Sequence, residues 1–448
     1  MGNLMFYARV VHFAASIMAA GVVFFVVLIA EPAFRKAPTD SKIAAAFRLS
    51  LARIAWISIA FCVVSGVTWL VLATASMSGQ PVADVYAQGT LWTVLSQTDF
   101  GNDWLARSVF VCVLACLFIP LLSPAGAKPP WLKAAALIIA ASLVGSLAWA
   151  GHAIGARGIE GIVHPAADVL HLIAAAAWVG TLVPLALLLS MTGEDADELP
   201  VVRTATLRFS TLGFTSVATL LLTGMVNTWY LVGSVSALME SNYGRLLLIK
   251  LALFLAMVGI AAFNWSQLTP RLVGNADAGS ARTARRALRG NAAIEASFGA
   301  VIIGIVSVLG TLPPASHSHH ETPSGGIPAD ASFQHIHGED GMADVIIQPG
   351  HVGTVSATIR LLNDDLETLA AKAVSLTLTA PTPGSKPMTR TAAQDADGAW
   401  HVDAVQLPVS GNWIVSVTAM LTSNKRLELT APIVIDEASK SADERTRP

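Results

Sequence analysis

Eight long apolar stretches restrict the fold of this chain more tightly than any other feature. They run over about 5–30, 50–77, 104–122, 131–151, 165–191, 208–232, 245–266 and 291–312. Crossing the hydrocarbon of a bilayer as a helix takes about 20 predominantly apolar residues, and only a helix or a closed barrel satisfies its own backbone there. The composition agrees, with 54% of residues hydrophobic and 13% charged, whereas a soluble domain carries about 25% charged residues. The expected fold class is therefore an all-α polytopic membrane bundle of about eight transmembrane helices over residues 1–312, in contact with membrane lipid. The opening "MGNLMFYARVVHFAASIMAAGVVFFVVLIAEP" has no basic segment before its apolar core, and the core is too long for a secretory leader. It reads as a retained first span.

Orientation follows from the loops. Those after the first, third, fifth and seventh stretches hold fourteen Lys and Arg, among them Arg35, Lys36, Lys128, Arg203, Arg271 and Arg285. The alternate loops hold only Arg157 and Arg245. Basic loops stay in the cytoplasm, so both termini are expected on the outer face. The net charge of −2 offers no electrostatic footprint for nucleic acid. The three cysteines, Cys62, Cys112 and Cys116, lie in apolar runs and imply no disulfide framework.

Beyond Leu312 the character changes. Residues 313–342, "PPASHSHHETPSGGIPADASFQHIHGEDGM", are polar and rich in Pro, Gly and His, as a linker is. Residues 343–436 alternate in short runs such as "ADVIIQ", "VGTVSATIR", "AVSLTLTA" and "NWIVSVTAM", separated by turn signals at Pro349-Gly350, Asp397-Gly398 and Ser410-Gly411. That pattern predicts a small all-β sandwich with Trp400 and Trp413 as core anchors. The last dozen residues, 437–448, have the composition of a disordered tail. No internal repeat stands out.

The histidines carry the chemistry. His12, His152, His164 and His171 all fall in the outer half of the bundle on this topology, and the inner half has none. His164 precedes Pro165, which suits the first turn of a helix. His164, Asp168 and His171 then share one face, with Trp178 continuing the stripe. His171 is roughly 10 Å deeper than His164 at about 1.5 Å per residue. Two ligands so far apart do not share one metal without help from other spans; His164 is expected to join His152, and His171 to join His12. Asp168 either complements the helix N-terminus or pairs with Arg9 at similar depth. Against these readings stands the plain one, interfacial hydrogen bonding, though ionisable groups inside a membrane are functional by default. The linker adds His317, His319, His320, His335 and His337 with Met342 close by. Imidazole suits copper, zinc and nickel, and thioether suits Cu(I); the alternative is a solvated tether. Cys112 and Cys116 share a helix face and with Cys62 offer a soft route for Cu(I), although buried cysteine is commonly just a small apolar residue. Ser65-Gly66 and Thr223-Gly224 read as helix-packing surfaces.

With these residues in hand the chain resembles the copper resistance protein D (CopD) family of bacterial inner-membrane proteins. The resemblance rests on "ARVVHFAASIMAAG", "GHA" at 151–153, "ADVLHLIAAAAWVGTLVPL", "TGMVNTWYLVGSVSALMESNYGRLLLIKLALF", "FNWSQLTPRL" and "RGNAAIEASFGAVIIGIVSVLGTLPP" with Glu295. Residues 335–361 and 397–417 are similar to the extracytoplasmic domain that some members append. The ordered set carries the resemblance, and 78–103 is its weakest part. It implies copper resistance and homeostasis, with copper, as Cu(I) or Cu(II), moved from the periplasm toward the cytoplasm across the inner membrane. It implies a copper role for His12, His152, His164 and His171. Some relatives begin with a fused copper-binding CopC-like domain; this chain begins at span 1, so a separate periplasmic CopC-like chaperone or the His-rich linker is expected to deliver copper.

No P-loop and no phosphorylation-type aspartate motif is present, so the expectation is a non-enzymatic importer or copper-sensing intermediary. Haem is the alternative, because histidines on separate spans can ligate it axially; absence of a Soret band in the purified protein removes that reading. A third expectation is a scaffold whose β-sandwich docks a periplasmic partner, distinguished by whether an effect on cellular copper survives loss of residues 313–448.

Overall fold

A computed structural model describes residues 2–35, 42–78, 81–87, 89–123, 127–150, 160–192, 198–232, 238–239, 241–273, 278–310, 328, 330–338, 341–363, 368–381, 386–395, 398–422 and 425–437. The chain forms two compact units, Met1–His320 and Glu321–Pro448. His152, His317, His319, His320 and most of the tail lie outside the described residues.

The first unit contains eight helices long and apolar enough to cross a membrane, as expected. Span 1 is Leu4–Phe34, span 2 Ile43–Ser78, span 3 Asp99–Leu122 and span 4 Pro130–Trp149. Span 5 is Ile162–Met191, span 6 Leu199–Tyr230, span 7 Asn242–Leu272 and span 8 Gly279–Leu309. Arg9 donates to the carbonyl of Gly310 at 3.2 Å, so the chain enters span 1 and leaves span 8 at one end of the bundle, here the terminal end. The other is the basic end, where Lys128, Arg203, Arg271 and Arg285 stand.

Spans 1 and 5 form the centre. They touch where Gly21 meets Gly180: a Cβ on Gly21 would lie 2.2 Å from the Gly180 carbonyl oxygen. Small residues let helices approach this closely in lipid, where close packing rather than hydrophobicity drives association. Fully buried Phe25, Trp178 and Leu182 flank the crossing. Two helices carry a π turn, Phe25–Ala30 in span 1 and Asn264–Leu268 in span 7.

The bundle is a repeat, contrary to the sequence expectation. Gly21 follows His12 by nine residues, and Gly180 follows His171 by nine. Ser65-Gly66 of span 2 faces His12, and Thr223-Gly224 of span 6 faces His171. Span 3 opens with Thr98 accepting from the Gly101 amide at 3.0 Å, and span 7 with Ser241 accepting from the Gly244 amide at 2.9 Å. Each hydroxyl caps a helix start. Six residues on from those glycines stand Arg107 and Lys250. Spans 1–4 and 5–8 thus run parallel to one another as two copies of one arrangement, a known way of building membrane proteins. The repeat hides in sequence because it lives in spacing, "H-x8-G", "[ST]-G" and "[ST]-x-x-G-x5-[RK]", while lipid-facing positions tolerate any apolar residue.

The second unit is all-β, as expected, with eight strands among the described residues. They are β1 (Ser332–Gly338), β2 (Gly341–Gln348), β3 (Gly353–Leu362), β4 (Ala371–Thr379), β5 (Met388–Gln394), β6 (Trp400–Leu407), β7 (Gly411–Leu421) and β8 (Arg426–Ile435). The order is β1-β2-β3-β6-β5-β4-β7-β8. All named pairs are antiparallel. Ser332 donates to the Val434 carbonyl at 2.6 Å, joining the first strand to the last, so the sheet curls nearly into a barrel. Closure of this kind protects exposed strand edges. β1 sits inside the stretch read as linker, because its alternate positions are His and Gln. β5, "MTRTAAQ", buries only Ala392. Trp400 and Trp413 are in the core as expected. Trp413→Ala should cost about 3–5 kcal/mol as a large-to-small core change. Native-state proteolysis of the full chain checks this: cleavage within 330–437 should accelerate, and an unchanged rate counts against Trp413 as an anchor.

Candidate functional site

Span 5 and span 6 meet as a polar zipper inside apolar helices. Pro165 in the first turns of span 5 leaves His164 near its start, and 3.6-residue periodicity puts His164, Asp168 and His171 on one side. Span 6 runs the other way and presents Tyr230, Asn227 and Thr223 at matching steps. His164 stacks on Tyr230 with ring centroids 5.1 Å apart. Asn227 donates to Asp168 at 2.5 Å. His171 Nδ1 meets the Thr223 hydroxyl at 2.9 Å. Within span 5, His164 Nε2 lies 3.9 Å from Asp168 Oδ2.

A third helix completes this site. Lys250 of span 7 acts electrostatically on both Asp168 and His171, and Tyr243 of the same span acts on Asp168. Sequence reasoning missed Lys250, although a lone lysine within "GRLLLIKLALF" was the available signal. Intramembrane charges face the bundle interior and find partners.

The first half repeats the plan with altered chemistry. His12 Nδ1 is 3.2 Å from the Ser65 hydroxyl and 3.2 Å from the Cys62 carbonyl. Arg107 of span 3 forms an ion pair with Asp103 and donates to Ser146 Oγ at 3.4 Å. Trp69 stands where the second half has Asn227, and it lies beneath two guanidiniums, Arg9 at 5.5 Å and Arg107 at 5.3 Å. Trp104 donates to the Gly66 carbonyl at 2.9 Å. Asp103 and Arg107 were also missed, because the third apolar stretch was begun one residue too late for the carboxylate to count as intramembrane.

Several expected groupings differ from what the structure shows. His12 looks toward spans 2 and 3, and His171 toward spans 6 and 7, so their hydrogen bonds draw them apart. Arg9 and Asp168 do not pair: Arg9 lies over Phe13 and Trp69, and Asp168 turns to Asn227. Cys62 is buried with Sγ 3.6 Å from Ser16 Oγ, whereas Cys112 and Cys116 are exposed on span 3, so the three thiols line no common route. Trp178 is buried edge-on to Phe254. In the β unit, His335 of β1 bonds Asp344 across the strand pair, His337 pairs in register with Met342, and Met342 is buried. Among the described residues no three His, Cys, Asp or Glu gather closely enough to hold a metal ion.

Two parallel four-helix repeats, each with an imidazole (buried at His12, half-buried at His171) faced by a hydroxyl and a cation, define a polytopic membrane protein with intramembrane polar stations. Comparison with known proteins gives the class a family. Residues 1–163 match the copper resistance protein D-like N-terminal domain, and residues 203–309 match copper resistance protein D. Copper resistance protein D of Pseudomonas syringae pv. tomato is 34% identical over 233 residues, covering 49% of this chain and 71% of that protein. Inner membrane protein YebZ of Escherichia coli K12 is 29% identical over 247 residues, covering 55% and 80%. Copper transport protein CutJ of Bacillus subtilis is 29% identical over 196 residues, covering 44% of this chain and 36% of that protein. The chain belongs to the copper resistance protein D family and is a copper-related, multi-pass membrane protein. The zipper residues of span 5 fall between the two matched domains.

Proposed function

We propose that the chain is a non-enzymatic copper carrier of a bacterial inner membrane, taking copper at the terminal end of its bundle and passing it toward the basic end. On this reading the terminal end faces the periplasm, as the basic loops require of the other end. A CopC-like chaperone or the His-rich segment before β1 delivers the metal.

The observation that carries the reading is the zipper. It aligns two imidazoles and a carboxylate along one face of span 5, in steps that lead inward. The two halves are not equivalent as cation sites. Around His12 the neighbours are Arg9, Arg107 and Trp69, two of them cations. Around His171 the one cation among the described residues, Lys250, is balanced by Asp168, a ligand type that also accepts copper. The second half is therefore the copper-handling one, and the first half is its packed structural counterpart. His164 serves as the entry ligand and His171 as the deeper one.

The test is copper titration of the purified full chain against His171→Ala and His12→Ala. His171→Ala should weaken copper binding by at least tenfold, roughly the loss of one good ligand interaction of about 1.4 kcal/mol or more, while His12→Ala should change it less. Unchanged affinity in both variants sinks the site assignment.

A further inference from the structure

A second polar feature lies deeper, in the half of the bundle nearer the basic end. Spans 5, 6, 7 and 8 line a pocket of about 100 Å³ there, walled by apolar side chains such as Leu185, Phe209, Val217 and Val258 and open on the side of exposed Phe214 and Trp265. Three buried polar atoms of its lining residues lack a hydrogen bond of good geometry: Trp178 Nε1, Thr206 Oγ1 and Glu295 Oε2, and of these the Trp178 indole stands close enough to Glu295 to act on its carboxyl. Buried polar groups are almost always satisfied, so three such atoms on one small pocket mark a place built for something hydrogen-bonding. Glu295 is 1% exposed. Its other oxygen accepts from Asn264 Nδ2 at 3.0 Å, and Asn291 donates to Asn264 Oδ1 at 2.6 Å, so the carboxyl is held in place. Asn264 begins the π turn of span 7, whose irregular backbone aims it at span 8, and such turns recur at functional sites.

The fold itself does not call for this carboxyl. Span 4, the counterpart of span 8 in the first repeat, contains no Asp or Glu. Charged and titratable groups on the packed elements are Arg282, Arg285, Arg286 and Arg289 of span 8, Arg245, Lys250 and Arg271 of span 7, Arg203 and Arg208 of span 6, His164, Asp168 and His171 of span 5, and Arg9, His12 and Glu31 of span 1. Among the described residues none is hydrogen-bonded or ion-paired to Glu295. An unpaired carboxylate in this setting carries a large desolvation cost, and a proton relieves it at once. The lining offers no imidazole, thioether or thiolate, so copper has no soft ligand here. The pocket does have room for a few waters, each of which needs two to four polar contacts.

We propose that Glu295, with Trp178 and Thr206, forms a proton-binding, water-holding station in the basic-end half of the bundle, reached after the copper site. The step is a plain proton transfer: a hydronium in the pocket gives its proton to Oε2 and becomes water, and on release the O–H bond breaks and the proton passes to a water toward the basic end, which becomes hydronium. The coupling of this station to copper rests on the proposed function above, whereas the proton site itself does not. Trp178 lies seven residues beyond His171, roughly 10 Å along the helix, which places the two stations in series.

Infrared difference spectra of the purified full chain, recorded in water and in heavy water, read the site directly. The C=O stretch of a protonated carboxyl should be present, shift in heavy water, and be lost in Glu295→Gln. Thr206→Val and Trp178→Phe keep the carboxyl and should shift its band, which guards against a misfolded Gln variant. A band that survives in Glu295→Gln, or that neither pocket variant moves, overturns the proposal. In proteoliposomes a proton gradient should change copper movement by the wild type and lose that influence in Glu295→Gln; an equal response in both overturns the coupling. Wild type that moves no copper, with the band still lost in Glu295→Gln, sinks the transport reading and leaves the proton station standing.

Discussion

Gly180→Val yields no folded membrane bundle. A Cβ at this position would lie 2.5 Å from the carbonyl oxygen of Ile17 and 2.9 Å from the Cα of Gly21, distances at which backbone must move. Overpacking a core typically costs about 1–3 kcal/mol where side chains can adjust. Here the obstacle is the backbone of span 1, and span 1 has nowhere to retreat: Ala19, Ala20, Val22 and Val23 are all wholly buried against other helices. The damage exceeds the usual range because the obstacle is backbone on both sides of the crossing, where no side chain can turn aside. Gly21→Val should behave in the same way, since its Cβ would meet Gly180 at 2.2 Å. Gly259→Ala is the control, because nothing lies within 4 Å of the added atom. Size-exclusion profiles of the detergent-solubilised chain decide it. The two valine variants should lose the monodisperse peak that wild type and Gly259→Ala retain, and a retained peak for Gly180→Val refutes the account of the crossing.

The amount of this structure legible in the sequence divides by physical cause. Spans were readable because lipid demands about 20 apolar residues whatever their identity. The face shared by His164, Asp168 and His171 was readable because helical periodicity needs no knowledge of neighbours. What those residues touch was not. Ser65-Gly66 and Thr223-Gly224 read as packing surfaces, yet each brings a hydroxyl and a Cβ-free gap against an imidazole, and only the three-dimensional neighbour reveals that use. Lys250 and Arg107 are single charges in apolar runs, so averaging over a window hid them, and Asp103 stands one residue before such a run. The pairing of His12 with His171 followed from equal depth, but depth says nothing of azimuth, and the two rings point away from the axis that relates them. In the β unit, alternation found strands whose inward faces are Val, Ile and Leu. It failed for β1 and β5, whose residues gain their place from cross-strand partners such as Asp344 opposite His335.

The repeat also explains why a buried ion pair is tolerated in the half that is not assigned to copper. Arg107 keeps the position that Lys250 holds in the other half, and Asp103 neutralises it where the second repeat uses Asp168 from a different helix. The same demand, one anion near one intramembrane cation, is met by two different routes. That convergence argues that the cation at this position is fixed by the arrangement around the histidine, while the anion is free to vary.

Arg107→Leu should therefore destabilise the bundle by about 3–5 kcal/mol, the cost of leaving one member of a buried pair without its partner. Arg107 is 2% exposed, and its side chain reaches Asp103, Ser146 Oγ at 3.4 Å and the Ser146 carbonyl at 3.3 Å. Removal takes the charged partner from the half-buried Asp103 and a donor from the Ser146 carbonyl, and it also strips one guanidinium from Trp69. Asp103→Asn removes the stranded charge, so the double variant Asp103→Asn/Arg107→Leu should recover most of the loss. A double variant as unstable as Arg107→Leu alone means that the arginine acts by packing on Trp69 and not through its ion pair. Thermal unfolding of the detergent-solubilised full chain gives the four midpoints needed for the cycle. The neighbouring His12 makes the result informative about the site as well: its ring rests edge-on to Trp69 at 5.7 Å. If the pair only balances charge, the rescued double variant keeps the same copper affinity as wild type, because the copper-handling residues belong to the other repeat.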